Sequence, residues 1–238
     1  MLKLVFKLLV KDIKNIFTEP VLLYIAVAPI TICLLIKYVF LYLNLKLNSG
    51  IDLYSYDKLI ISIVNMIIPM IVGTLAGFVM LDEKDEGTAF VMVMTPLGKR
   101  GYFLYRSIIS VVLCFIFVLL SVPMIGISSE DMLLMTSVAI MASLETPICA
   151  LLLLTIAHNK IEGLAVTKGM VICIFIPICI FFFKNSWVYI MGFIPFFWPA
   201  YLFINANNYL LYLLLWIVGF LVHIFYLIIL IKSYLRKW

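Results

Sequence analysis

Hydrophobic positions in this chain occur in long unbroken runs rather than in the alternating patterns of a water-soluble domain. A hydrocarbon core about 30 Å thick requires about 20 apolar residues in a helix, and six runs reach that length. They cover residues 21–43, 59–81, 102–122, 132–157, 164–183 and 209–231. The pattern therefore predicts an all-α protein with six membrane-spanning helices.

A further apolar stretch, 187–204, reads WVYIMGFIPFFWPAYLFI and is interrupted by Pro195 and Pro199. Proline inside a helix removes a hydrogen bond and clashes with the preceding turn. We therefore expect a re-entrant or interfacial hairpin before span six. The alternative is a seventh span, which would move Lys232, Arg236 and Lys237 to the other side of the membrane.

The first 18 residues are amphipathic. Lysines at positions 3, 7, 11 and 14 recur at helical spacing, and apolar residues fill the opposite face. Such a helix lies in the headgroup plane with its lysines near anionic lipid. A cleaved signal peptide is disfavoured because no small-residue cleavage site follows.

Composition supports the membrane assignment, since 66% of the 238 residues are hydrophobic and 12% are charged. With six spans and a cytoplasmic amino terminus, only four of the 17 basic residues lie outside: Lys37, Lys46, Lys58 and Lys184. This bias predicts that both termini are cytoplasmic. Nucleic-acid binding is not expected, and the five scattered cysteines show no metal-ligand spacing.

One strongly polar segment, LDEKDEGTAFVMVMTPLGKR, separates spans two and three. Its acidic residues precede an apolar stripe at helical spacing, formed by Phe90, Val93, Met94 and Leu97. Thr95 and Pro96 resemble the N-cap and first residue of a further helix. The sequence thus predicts a short amphipathic helix on the cytoplasmic side, within residues 82–100.

This segment resembles a motif of the ABC-2 class of export permeases, in which acidic residues precede Glu-Gly-Thr and Thr-Pro-Leu follows. The stretch HNKIEGLAVTKG, 158–169, is similar to the loop between spans four and five in the subgroup named fluoroquinolone-export permeases. An aromatic-proline pair near the last span, Trp198-Pro199, is similar too. With the six-span layout, the resemblance covers the whole chain as a single transmembrane domain, 1–238.

The resemblance implies a half-transporter that pairs with a second copy or a paralogue. Each half docks a separate nucleotide-binding subunit, which holds ATP and Mg²⁺. Ala89 and Gly98 depart from the residues that relatives often carry. The implied coupling residues are Glu83, Asp85, Glu86, Gly87, Thr88, Phe90, Thr95 and Pro96.

The chain contains no G-x-x-x-x-G-K-[ST] loop to hold ATP phosphates. ATP hydrolysis is therefore expected on another polypeptide, with no cofactor on this non-catalytic subunit.

Three polar residues inside predicted spans are candidates for the transport pathway or for interhelical hydrogen bonds. A charge in mid-membrane is costly, so Glu145 should face protein or water, with Pro147 disturbing its helix. His223 shows no local partner. Asn65 lies one turn before Pro69, and hydrogen bonding to another helix is expected of it.

These observations predict the permease subunit of an ATP-driven exporter in a prokaryotic plasma membrane, working by alternating access. The substrate would be drug-like, lipidic or peptidic. Two alternatives remain open: a non-transporting membrane scaffold or immunity protein, and a secondary transporter that uses Glu145 as its proton carrier.

Overall fold

The structure, a computed structural model, describes residues 20–46, 52–96, 98–128, 130–183, 185–205 and 209–237. This part of the chain is helical and contains no strand. The amphipathic helix predicted for residues 1–18 lies outside the described residues. The α-helices are α1 (Pro20–Lys46), α2 (Asp57–Asp85), α3 (Thr88–Met94), α4 (Gly98–Ile125), α5 (Met132–Ile156), α6 (Lys160–Met170), α7 (Phe175–Phe182), α8 (Phe197–Asn205) and α9 (Tyr209–Arg236).

Six helical segments of the described chain are long and apolar enough to cross a membrane, which confirms the six-span prediction. Four are the single helices α1, α4, α5 and α9, and a fifth is α2 with the 3₁₀ turn Leu53–Tyr56. The remaining span, Lys160–Phe182, joins α6 and α7 through the 3₁₀ turn Val171–Ile174. Pro177 lacks the N–H that would bond to the Cys173 carbonyl, which accounts for the irregular turn.

The centre of the bundle is α5, which is buried along most of its length and contacts α2, α4, α6, α8 and α9. Its closest neighbour is α2, where Gly73 and Gly77 form a GxxxG motif. A Cβ atom on Gly73 would lie 2.5 Å from the Thr146 carbonyl oxygen and 2.7 Å from the Cys149 Cβ. The motif therefore brings two helices of the same chain together.

The last helix, α9, is attached to the bundle along a narrow stripe. Its buried residues Leu215, Gly219 and His223 follow one another at four-residue intervals, and Tyr234 is buried near its carboxyl end. At Gly219 the contact is close, because an added Cβ would lie 2.7 Å from both Met141 Cε and Trp198 Cβ. The other residues of α9 are exposed or half-buried, and the Tyr212 hydroxyl near its start contacts the Ser137 hydroxyl of α5.

Residues 186–205 form two short helical pieces, the 3₁₀ helix Ser186–Phe193 and α8. The indole N–H of Trp198 donates to the Gly192 carbonyl at 2.8 Å, and the hydroxyls of Tyr189 and Tyr201 lie 2.9 Å apart. These bonds fold the segment back on itself, and α8 packs against α2, α5, α7 and α9. It is not one of the six spanning segments.

Candidate functional site

The polar segment between α2 and α4 contains the short helix α3, whose start depends on Gly87. The φ angle of Gly87 is +78°, a left-handed conformation that suits glycine. Its N–H donates to the Lys84 carbonyl at 3.2 Å, and the Thr88 hydroxyl donates to the Glu83 carbonyl at 3.1 Å. Gly87 thus ends α2 and turns the chain into α3, which explains the Glu-Gly-Thr sequence. We call the end of the bundle that carries this helix the α3 end.

Two faces of α3 differ in exposure. Ala89 is 0% exposed and belongs, with Met92 and Val93, to the apolar cluster at the α3 end. Phe90, Val91 and Met94 are exposed, and Met94 reaches 88%. Of the predicted stripe, Val93 packs in this cluster, Phe90 and Met94 are exposed, and Leu97 lies outside the described residues. The helix thus presents apolar side chains on both faces.

The predicted helix start at Thr95 and Pro96 is wrong. The Thr95 hydroxyl donates back to the Met92 carbonyl at 2.6 Å, so Thr95 ends α3. The next helix, α4, begins at Gly98, whose φ angle of +63° lies outside the right-handed helical region. A helix starting at Pro96 would need a right-handed conformation there. Thr95 and Pro96 therefore form the turn between α3 and α4.

The acidic residues at the end of α2 divide into two pairs. The Glu83 carboxylate accepts from Tyr102 Oη at 2.6 Å and from Arg106 Nε at 3.0 Å, and Arg106 Nη2 donates to its second oxygen. Asp82 Oδ1 lies 2.8 Å from Lys160 Nζ of α6. Asp85 and Glu86 are exposed. Two acidic residues thus connect helices within the bundle, and two face solvent.

The start of α6 is capped by an arrangement similar to a capping box, in which the returning bond reaches the residue before the N-cap. The Asn159 Oδ1 atom accepts from the Glu162 N–H at 2.9 Å, and Glu162 Oε2 accepts from the His158 N–H at 2.8 Å. This reciprocal arrangement satisfies amide groups that have no partner within the helix. It lies within the stretch 158–169 that resembles the family. Lys160 therefore leaves the capped end of α6 in a fixed position beside Asp82.

The apolar cluster at the α3 end includes residues of α9. Tyr234 packs against Phe103 of α4 with ring centroids 5.8 Å apart, and both belong to the cluster that contains Ala89. Lys237 Nζ donates to the Thr155 carbonyl at the end of α5. A displacement of α3 would therefore press on residues that contact the ends of α4, α5 and α9.

A second polar site lies deep in the bundle, where Glu145 of α5 meets His223 of α9. Both residues are 0% exposed, and Nε2 of His223 lies 3.6 Å from Oε1 of Glu145. The other ring nitrogen, Nδ1, lies 2.7 Å from the Gly219 carbonyl oxygen. Sequence reasoning identified each residue but did not pair them. The available signal was that two ionisable groups in mid-membrane need partners.

The third candidate, Asn65, lies on α2 and contacts α4. Its Oδ1 atom accepts from the Ser121 hydroxyl at 2.7 Å. The Asn65 side chain also lines a small cavity together with Ser62 and Pro199. Asn65 is thus a residue that forms a hydrogen bond between two helices, as predicted. Within the described part of the chain, no group of three or more His, Cys, Asp or Glu side chains is arranged to hold a metal ion.

Comparison with known proteins assigns the chain to a family. The family model described as "Fluoroquinolones export permease protein Rv2686c-like" matches residues 12–231. The chain belongs to this family of ABC-2-type export permeases. The match spans α1 to α8 completely and α9 as far as residue 231.

Two relatives come from Mycobacterium tuberculosis. The fluoroquinolones export permease protein Rv2686c of strain ATCC 25618 / H37Rv and the protein MT2760 of strain CDC 1551 / Oshkosh are each 29% identical over 204 residues. That alignment covers 83% of this chain and 81% of each relative. No solved structure matches the chain. The names of these relatives and the six apolar helices identify a multi-pass membrane permease.

Proposed function

We propose that this chain is the transmembrane permease subunit of an ATP-driven exporter, and that a separate ATPase subunit docks on α3. The observation that carries the proposal is the exposed apolar surface that Val91 and Met94 form on α3. The carboxylates of Asp85 and Glu86, which precede this helix, are exposed as well. A surface that combines apolar anchors with a charged rim suits a protein partner.

Movement of the ATPase would reach the membrane helices through the buried face of α3. Ala89 packs in the same cluster as Tyr102 and Phe103 of α4 and Tyr234 of α9. Because packed interiors transmit strain rather than absorb it, a shift of α3 moves these helix ends. Alternating access would follow if the ATP-bound partner stabilised one arrangement of the helices and the ATP-free partner another.

Glu83 would act as a positioning residue rather than as a docking contact. Its carboxylate is held by Arg106 and Tyr102 between α2 and α4. This interaction fixes the end of α2 at the point where α3 begins. Asp85, Glu86, Gly87, Thr88 and Phe90 would then form the docking side, while Thr95 and Pro96 provide the return turn.

The transported molecule would be drug-like, since the relatives are named for fluoroquinolone export. In the described conformation Glu145 is buried, so substrate would meet this residue only after the helices rearrange. We expect a prokaryotic plasma membrane location, with both termini and α3 on the cytoplasmic side. A second copy or a paralogue would complete the permease, and ATP with Mg²⁺ would bind to the ATPase subunits.

The docking surface is tested by substitution of its most exposed side chain. In membranes from cells that express the tagged chain together with a candidate P-loop ATPase, Met94→Glu should abolish co-purification of the ATPase. Met94→Leu should retain it, because the side chain stays apolar. ATP-dependent efflux of a fluorescent fluoroquinolone from the same cells should follow the binding result.

The control for this experiment is the folding of each variant. Because Met94 is exposed, neither substitution should change the yield or the helical content of the purified chain. Undiminished ATPase binding by the folded Met94→Glu variant, together with unchanged efflux, would remove α3 as the docking site. Normal binding without fluoroquinolone efflux would instead leave the docking intact and reject the drug class.

A further inference from the structure

The buried pair formed by Glu145 and His223 joins α5 and α9 at mid-height, between the Tyr212–Ser137 contact at one end and the Lys237–Thr155 contact at the other. Glu145 lies in the middle of α5, the central helix, and His223 lies in the middle of α9. Both are fully buried, and Nε2 of His223 lies 3.6 Å from Oε1 of Glu145. The pair is thus a polar contact shielded from the surroundings of the protein.

The protonation state of this pair is limited by a third group, the Gly219 carbonyl. A carbonyl oxygen only accepts hydrogen bonds, so its 2.7 Å contact with His223 requires a proton on Nδ1. Nε2 is then the atom that faces Glu145. The chain itself selects this tautomer, because Gly219 lies one turn before His223 on the same helix.

One proton held between Nε2 and the carboxyl group lets the two side chains attract each other with no net charge left in the membrane interior. The 3.6 Å separation is longer than a hydrogen bond, and a small movement of either side chain would close it to one. Without that proton, the Nε2 lone pair faces a carboxylate, and a negative charge is left unpaired inside the membrane. With two protons, Nε2–H can still donate to the carbonyl oxygen of the neutral carboxyl group, but the imidazolium leaves a positive charge unpaired inside the membrane.

The other titratable side chains near Glu145 do not supply this proton balance. Cys114 of α4, Cys149 of α5 and Cys173 of the turn between α6 and α7 are close enough to interact with its charge. A thiol in its ordinary protonated form is neutral. Within the described residues, the charge at this site is therefore set by Glu145 and His223.

We propose that Glu145 and His223 bind one shared proton, and that this proton fastens α9 to α5. Release of the proton would weaken the fastening at the centre of α9, while Gly219 and Leu215 provide only apolar contact on the next two turns. Separation of the helices would bring both side chains into contact with water, with which they exchange the proton. Movement of α9 would in this way be linked to proton binding. This proposal does not depend on ATPase docking.

The shared proton is tested by nuclear magnetic resonance, because the chain contains only two histidines, His158 and His223. The full chain is prepared in lipid nanodiscs with ¹⁵N-labelled histidine and ¹³C-labelled glutamate carboxyl groups, and spectra are recorded between acidic and alkaline pH. His223→Gln assigns the His223 signals, and exposed His158 is the internal reference. The His223 ring and the Glu145 carboxyl signals should change at the same pH, with His223 protonated at Nδ1.

Glu145→Gln is the decisive variant. Its amide N–H donates to Nε2 of His223 and cannot be titrated, so the pH-dependent change of His223 seen in the wild type should be lost or displaced. The His158 signals should stay the same. Identical His223 titrations in the two proteins, or separate transitions of Glu145 and His223 in the wild type, would overturn the shared proton.

The effect of the proton on the attachment of α9 to α5 is tested by hydrogen–deuterium exchange of the α9 backbone amides in the same nanodiscs. Residues 61–72 of α2 serve as the reference that corrects for the intrinsic pH dependence of amide exchange. Glu145→Leu should raise exchange around 215–223 about tenfold, the change expected for a lost hydrogen bond to a charged group. Glu145→Gln should exchange at the wild-type rate.

If Glu145→Leu does not fold, the wild type and Glu145→Gln still decide the question. The wild type alone should show faster α9 exchange at the pH where the proton is lost. Equal pH dependence of exchange in both proteins would show that the proton does not hold the helix.

Discussion

Arg106 on α4 holds the carboxylate of Glu83, near the end of α2, with two of its N–H groups. Nε donates to Oε2 at 3.0 Å, and Nη2 donates to Oε1. Tyr102 adds a hydroxyl donor from the previous turn of α4. The planar guanidinium fits a carboxylate in this two-point geometry, which an ammonium group does not reproduce. The spans on either side of α3 are therefore joined where α3 leaves the bundle.

Arg106→Lys should destabilise the protein although it keeps the positive charge. Loss of the two-point contact leaves Glu83 partly unsatisfied in a mostly buried position, and we expect a decrease of about 1–3 kcal/mol in the free energy of unfolding. Thermal unfolding of the purified chain in detergent measures this. Arg100→Lys, at an exposed position of the same helix, should leave the midpoint unchanged. Equal midpoints for the wild type and Arg106→Lys would show that the pair contributes no stability.

Gly87→Ala should alter α3 through the backbone alone. No atom lies within 4 Å of the added Cβ, but the residue has a φ angle of +78°, so the cost is about 1 kcal/mol of conformational strain. The variant should fold, with reduced coupling of ATP hydrolysis to efflux. Gly169→Ala in α6 is the matched control. It has equally open surroundings and no positive φ angle, and should be neutral or slightly stabilising. Full coupling in Gly87→Ala would contradict a requirement for this turn.

Gly73→Ala should be more damaging than Gly77→Ala. At Gly73 the new Cβ would lie 2.5 Å from a backbone oxygen of α5, whereas at Gly77 the nearest atom, Ala150 Cα, lies 3.1 Å away. Since backbone atoms of a packed helix cannot rotate aside, Gly73→Ala forces α2 and α5 apart at a cost of about 1–3 kcal/mol or more. Unfolding midpoints should therefore fall in the order Gly169→Ala, Gly77→Ala, Gly73→Ala. A lower midpoint for Gly77→Ala than for Gly73→Ala would show that α2 and α5 are not closest at Gly73.

The orientation in the membrane is tested with single cysteines at two exposed acidic positions, Asp85 and Asp131. They lie at opposite ends of α4, whose 28 residues rise about 42 Å. In a variant with the five native cysteines replaced by serine, a membrane-impermeant maleimide added to intact cells should label Asp131→Cys. Asp85→Cys should react only after the cells are opened. Labelling of Asp85→Cys in intact cells would put α3 outside and exclude docking of a cytoplasmic ATPase.

The membrane spans were predictable because hydrocarbon thickness imposes a length that the sequence displays directly. The ends of individual helices were less predictable. The Thr-Pro pair at 95–96 is a frequent helix start, but here the Thr95 hydroxyl donates back to the Met92 carbonyl, and the next helix begins only at Gly98, which has a positive φ angle. Both effects depend on a tertiary path that local propensity does not encode.

The polar partners were the least predictable part. Glu145 was identified because charge in mid-membrane is costly, yet its proximity to His223 depends on how α5 and α9 are rotated against each other. Glu83 has no such signal, since acidic residues beside a span are usually solvated. Only the fold shows that Arg106 faces it. The roles of Glu83, Glu145 and His223 in transport remain predictions.

The left-handed glycines at positions 87 and 98 enclose α3, and neither has an atom within 4 Å of where a Cβ would stand. The chain enters and leaves α3 at positions where the backbone conformation, not steric fit, requires glycine. If α3 is the docking site proposed above, its outward residues could differ between relatives that use different ATPases while Ala89 keeps the inward fit.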